Sequence, residues 1–305
     1  MSQATTRLTI LLACATLATT RFGLVVHEVV GHGGTAIALG GEITAIKLFW
    51  FAGGWVGYRL DDAGLAAHLA CRLGGIASEL VTGAALWLAL RRRTGLGARV
   101  VRGIAAGLAV HATWYLAAGT WYGFGDGIAL YQELGDGRYA VSIPAALVGS
   151  LAGFASAREV FAGIAGAAPG KRWIVALVIA LVANVVPIAC EVYLRHDEVY
   201  TAMMMSERAR TIQRELGRYQ AERPDAPRAE LDAELGRLED EHPHPFPFAP
   251  VFAPITLAAI VAGCFASLRR AGPREPVSSR LAARAAITAG AGLALVIAIQ
   301  LVFGT

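Results

Sequence analysis

Apolar runs of about twenty residues recur along this chain between short polar stretches, and that spacing predicts about seven membrane-spanning helices. The first run, about 11–39, is unusually long and carries Arg21, His27, Glu28 and His32. Further spans are expected over about 64–90, 103–121, 143–165, 173–193, 251–268 and 285–303. Residues 43–58 (ITAIKLFWFAGGWVGY) instead concentrate β-branched and aromatic side chains around Gly53 and Gly54, the pattern of a β-hairpin at the membrane face. Residues 195–250 are hydrophilic, split by Pro224 and Pro227 and closed by a proline-rich stretch, which reads as an extramembrane helical insertion.

The expected fold class is therefore an all-α polytopic membrane protein of about seven transmembrane helices, with a small membrane-face β-hairpin after the first. Four regions follow: 1–130 with three spans and the hairpin 43–58, 131–194 with two more, the insertion 195–250, and two C-terminal spans in 251–305.

Composition agrees. Hydrophobic residues make up 55% of the 305 and charged residues only 16%, where soluble domains carry about 25% charged. The formal charge is +4, and its arginines cluster between spans, which suits membrane orientation and argues against nucleic acid. Arg91, Arg92, Arg93, Arg99 and Arg102 follow the second span; Lys171 and Arg172 follow the fourth; Arg269, Arg270, Arg274, Arg280 and Arg284 follow the sixth. All share one face only if the fourth segment crosses despite Arg158 and Glu159. The N-terminus is then cytoplasmic, with the hairpin, the loop around Asp126 and the insertion outward. An Ala- and Arg-rich composition points to a bacterial inner membrane. Cys14, Cys71, Cys190 and Cys264 lie far apart in apolar stretches and read as packing residues.

Ionisable residues within a span are costly and mark function by default. His27-Glu28-Val29-Val30-Gly31-His32 puts two imidazoles and a carboxylate in the first span. Zinc hydrolases use such a set, the histidines holding the metal and the glutamate accepting a proton from an activated water. In a regular helix i and i+4 share a face to within about 40°, whereas i and i+5 diverge by about 140°. A single π-bulge, eased by Gly31, would realign His27 and His32. The competing geometry is a straight helix whose Arg21, Glu28 and His32 form a salt-bridged stripe. A third ligand is needed, and Asp126 in Gly123-Phe124-Gly125-Asp126-Gly127 is the candidate, because flanking glycines let the chain bend inward. His111 and Arg21 are candidate partners behind the ligands. Arg72 and Glu79, seven apart in the second span, read as an intramembrane charge pair.

These residues resemble the site-2 proteases, zinc metalloproteases that cut within the membrane. HEVVGH stands where that family has HExxH, followed by Gly40-Gly41 and an apolar hairpin (LFWFAGG). The second span carries Gly74-Gly75-Ile76-Ala77-Ser78, similar to the family's small-residue stretch, and Asp126-Gly127 matches its LDG. The resemblance covers about 11–130. It implies His27, His32 and Asp126 as zinc ligands and Glu28 as general base. It also implies a hairpin, with Phe49, Phe51, Gly53 and Gly54, that presents extended substrate by strand addition. The expected activity is zinc-dependent cleavage of membrane-protein substrates within the lipid bilayer. Two alternatives stay open: a catalytically inactive relative acting as a binding partner, and a transporter or proton path through Arg21, Glu28, Glu79 and His111. Sequence leaves oligomeric state undetermined.

Overall fold

The computed structural model describes residues 3–61, 63–164, 171–269 and 275–304; Arg270 and Arg274, and Ala165 at the end of the fourth expected span, lie outside them. Seven helical segments are long and apolar enough to cross a membrane, and the chain is an all-α polytopic membrane protein with one small sheet. The first span starts earlier than hydropathy alone suggests. It comprises α1 (Gln3–Leu24), a π-helical segment (Val25–Gly33) and α2 (Gly34–Ala38). Strands β1 (Glu42–Leu48) and β2 (Gly54–Arg59) form an antiparallel hairpin with a register shift between Ile43 and Ala45. Its loop is 49–53, so Gly54 opens the second strand rather than the turn.

Helices α3 (Leu65–Leu90) and α4 (Leu96–Tyr122) follow, then the short α5 (Ile128–Leu134), α6 (Tyr139–Ala162) and α7 (Lys171–Arg195). The insertion holds α8 (Glu198–Met204), α9 (Glu207–Glu222) and α10 (Arg228–Glu241), before α11 (Phe248–Leu268) and α12 (Ser279–Phe303) complete the chain. Helix α1 packs on α7 and α12, while α4 packs on α3 and α6, and α6 on α11. Leu11, Leu12, Val100, Ala176 and Ala282 form one buried cluster; Ala117, Trp121, Ala146 and Phe248 form another. The hairpin buries Ile46 and Leu48 against Leu24 and Val296, and Leu48 N–H donates to Gln300 Oε1 at 2.6 Å.

Two residues assigned by sequence to a basic loop belong to a helix instead. Arg99 and Arg102 lie in the first turns of α4, and both are buried. Burial is tolerable for Arg102 because its donors are filled: Leu90 and Arg93 carbonyls accept at 2.7 and 2.6 Å, and Glu159 Oε2 accepts from Nη2 at 2.8 Å. One guanidinium thus ties the end of α3 to α6, and Glu159 enters the fourth span as a paired charge.

Candidate metal centre

A π-helix closes i→i+5 hydrogen bonds, so a residue five positions on lies over its predecessor. Val25–Gly33 is wound this way, and the His27 and His32 rings come to 5.0 Å between centroids. The extra residue between the histidines is therefore absorbed inside the helix. Local sequence favours this: four valines and two glycines make Val25–Gly33 a poor α-helix. Tertiary contacts hold it. Ser78 of α3 donates to the Val26 carbonyl at 2.8 Å. Gly31 meets Gly74 and Gly75 so closely that a Cβ on Gly31 would fall 2.5 Å from Gly75 Cα.

Asp126 is delivered by a reversal at the end of α4. Gly123 adopts the left-handed conformation (φ 71°) and donates to the Gly119 carbonyl, as Phe124 N–H also does at 3.1 Å. Phe124 is extended, Gly125 again takes positive φ, and Gly125–Gly127 form one 3₁₀ turn seated on Gly119. The turn points the buried Asp126 carboxylate back at the π segment. Its Oδ2 lies 2.9 Å from His27 Nε2, and its Oδ1 lies 3.3 Å from His32 Nε2.

This donor set suits a metal ion. One ligand atom from each of His27, His32 and Asp126 lies within 4.8 Å of the others. Zinc bonds of about 2.0 Å in a tetrahedron separate neighbouring ligand atoms by about 3.3 Å, the scale seen here. The far nitrogens are already engaged. His32 Nδ1 is 2.7 Å from the Cys71 carbonyl, and His27 Nδ1 is 3.3 Å from Glu79 Oε2. Nδ1–H donation from each ring would fix the tautomer that a metal needs, leaving both Nε2 atoms for an ion held between them and the Asp126 carboxylate. Space is kept clear as well: a Cβ on Gly75 would sit 2.5 Å from His27 Nε2 and 2.7 Å from His32 Nε2.

Glu28 lies next to His27 in the π segment and lines a cavity of about 610 Å³ shared with His27, Glu79, His111 and Tyr115. The cavity is mostly apolar and runs along α1 towards Leu12 and Val100. Phe51, Gly53 and Gly54 of the hairpin and Tyr200 and Met203 of α8 also line it. Asp197 starts α8 by accepting from Tyr200 N–H at 2.8 Å, and the same carboxylate pairs with Lys47 of β1 at 3.4 Å.

Expected site residues thus fall into three groups. His27, His32 and Asp126 converge, with Glu28 beside them. Phe51, Gly53 and Gly54 line the cavity, whereas Phe49 is buried beneath Tyr200, ring centroids 5.0 Å apart, and does not line it. His111 reaches His27 at one remove, through Glu79.

Arg21 has a different job from the one expected. Its guanidinium donates to the carbonyls of Phe49, Trp50, Phe51 and Ala52 at 2.6–3.0 Å, so it holds the hairpin loop, and neither the stripe with Glu28 and His32 nor direct support of a ligand describes it. The expected Arg72–Glu79 pair is also absent from the described residues. Glu79 faces His27 and His111, while Arg72, on an exposed face of α3, interacts with Tyr58. A span of seven residues places two side chains on one stripe but does not say which neighbour each meets.

Sequence reasoning missed Glu191 altogether and singled out Glu79 only as a charge partner or proton-path member, not as a support for His27. Glu191 of α7 accepts from Trp50, Phe51 and Ala52 N–H at 2.6–3.0 Å, opposite Arg21. Glu79 supports His27. Each is a lone carboxylate inside an apolar run, and that rarity was the available signal. Neither family models, nor curated proteins, nor solved structures give a match to this chain.

Proposed function

We propose that this protein is an intramembrane zinc metalloprotease of the site-2 type, oriented with its N-terminus in the cytoplasm of a bacterial inner membrane. The convergence of His27 Nε2, His32 Nε2 and Asp126 carboxylate oxygens beside Glu28, inside spanning helices, carries the reading. His27, His32 and Asp126 hold the ion; when bound, zinc acidifies a water and polarises a carbonyl. Glu28 accepts the proton of the attacking water and can return it to the leaving amine. The outer edge of β2 pairs with no strand among the described residues, so an extended substrate can add there and lie across the site. A helical substrate must unwind first, since its carbonyls are otherwise committed to its own hydrogen bonds. Arg21 and Glu191 hold the hairpin loop rigid while it does so.

Elemental analysis of detergent-purified protein tests the metal, and cleavage of dye-labelled casein tests the reaction. About one zinc per chain is expected, lost in His27→Ala, His32→Ala and Asp126→Ala. Glu28→Gln should keep the zinc and lose cleavage. A parent that takes up no zinc on reconstitution, or a Glu28→Gln variant that cleaves like the parent, rejects the reading.

One observation favours a second reading, a proton path. His111, Glu79, His27 and Asp126 form a continuous hydrogen-bonded series within the spans. Arg21 is not part of it, being committed to the loop. Zinc-independent proton flux in proteoliposomes, abolished by Glu79→Gln, would select that reading.

A further inference from the structure

Of the two buried guanidiniums at the start of α4, only one has its donors filled. Arg102 is held by the Leu90 and Arg93 carbonyls and by Glu159. Arg99 is only 7% exposed, yet its one hydrogen bond among the described residues runs from Nε to the Thr94 carbonyl at 3.2 Å. Its Nη1 is buried and has no partner among them. An unfilled donor on a buried cation is costly, and an anion placed against it removes the cost.

The bond to Thr94 fixes where this guanidinium lies. Thr94 precedes Gly95, the N-cap of α4, so Arg99 folds back over the start of its own helix. On its other side stands Gly163 at the end of α6, where a Cβ would fall 2.6 Å from Arg99 Cδ and 3.3 Å from Nε. The helix start is itself suited to an anion. No side chain caps it and no acidic residue stands in its first turn, so Leu96, Gly97 and Ala98 present N–H groups without helical acceptors. About half a positive elementary charge gathers at such an end.

Charge around this corner is mostly of one sign. Arg91, Arg92 and Arg93 precede the helix on an exposed loop. Glu159 is committed to Arg102. Glu275, whose N–H donates to the Gly163 carbonyl, makes no ion pair with Arg99 among the described residues. Loop 91–95 joins the ends of two spans, which sets it at the level of lipid headgroups. All five of its residues are exposed, so side-chain packing does not hold it shut over Arg99.

We propose that the α3–α4 corner is a binding site for a phosphate group, whose oxygens accept from the Arg99 guanidinium and from the N–H groups of Leu96, Gly97 and Ala98. Both donor types suit phosphate, the guanidinium by its paired N–H bonds and the helix start by its dipole. Its level in the membrane favours the headgroup of an anionic phospholipid as the source over the free ion, since basic pockets between spanning helices take such headgroups. The site shares no residue with the metal centre and stands whether or not the protein is a protease.

The test uses the full chain in detergent, stripped of lipid: the parent, Arg99→Gln, Arg99→Lys, and Arg218→Gln on α9 as a control for general loss of charge. Native mass spectrometry titrates dioleoyl phosphatidylglycerol with and without excess inorganic phosphate, and hydrogen exchange is followed at Leu96, Gly97 and Ala98. The parent should bind phosphatidylglycerol, and the lipid should slow exchange at the three amides. Arg99→Gln should weaken binding roughly 10-fold or more. Arg99→Lys, which keeps the charge and loses the planar fork, should weaken it less, and Arg218→Gln should bind like the parent.

Competition by inorganic phosphate would assign the site to the free ion; its absence would assign it to the lipid headgroup. A parent that binds neither probe overturns the site. So does an Arg99→Gln variant that binds like the parent, or an Arg218→Gln variant that loses as much affinity as Arg99→Gln. Should Arg99→Gln fail to fold, unaltered exchange at the three amides of the parent with either probe in excess overturns it equally.

Discussion

Gly75 of α3 faces His27 across a gap with no room for a methyl group: a Cβ at position 75 would fall 2.5 Å from His27 Nε2 and 2.7 Å from His32 Nε2. The small residue keeps the two Nε2 atoms unobstructed and lets α3 approach the π segment. Gly75→Ala should therefore lower bound zinc to a small fraction of the parent's, with helix content in circular dichroism unchanged. Full zinc occupancy in Gly75→Ala would show that the two helices separate easily and that Gly75 has no such role.

The π segment makes a sharper forecast. Val30 is 58% exposed and lies between the two histidines, so its side chain contributes little packing. Deleting it leaves His27 and the second histidine four apart, the spacing that an ordinary α-helix brings to one face. The deletion variant should keep zinc in the same stoichiometry. Loss of zinc with an intact fold would mean that the wide turn itself is required for the approach of Gly31 to α3.

Glu191 and Arg21 divide the polar groups of one loop between them, the carboxylate taking three amides and the guanidinium four carbonyls. A hydrogen bond to a charged group is worth about 1.5–3 kcal/mol. Glu191→Gln, with one acceptor oxygen in place of two charged ones, should speed hydrogen exchange at Trp50, Phe51 and Ala52 by roughly tenfold or more. The amides of β1 serve as an internal control. Unchanged exchange at the three loop amides would remove Glu191 from this role.

The buried Arg102–Glu159 pair, with Nε–Oε2 and Nη2–Oε2 distances of 3.0 and 2.8 Å, should behave as a unit. Removing one partner leaves a buried charge uncompensated and costs about 3–5 kcal/mol. Glu159→Met is therefore expected to destabilise strongly in detergent unfolding, and Arg102→Met/Glu159→Met to cost clearly less than the sum of the single changes. Strict additivity would contradict the coupling.

Much of this architecture was legible along the chain, for a local reason. A span requires a run of apolar residues, and a hairpin requires alternating β-formers about a glycine turn; both requirements are met by neighbouring residues, so hydropathy located seven helices and the strands. Three metal-ligand candidates were legible for the same reason. Polar groups in lipid are conspicuous, the five-residue spacing of His27 and His32 required a distortion, and glycines around Asp126 allowed a reversal.

What the tertiary structure decided was partnership. In a membrane, apolar surfaces face lipid as readily as other helices, so the rotation and neighbours of each helix are chosen by close small-residue contacts and a few hydrogen bonds. Those contacts join residues far apart in sequence: Gly31 with Gly75, Glu79 with both His27 and His111, Arg21 and Glu191 with the hairpin loop, Arg102 with Glu159. Hydropathy records that such charges lie inside the spans, but it carries no information on which helix face meets which, and that choice sets Arg21 to hold a loop and Glu79 to support a histidine.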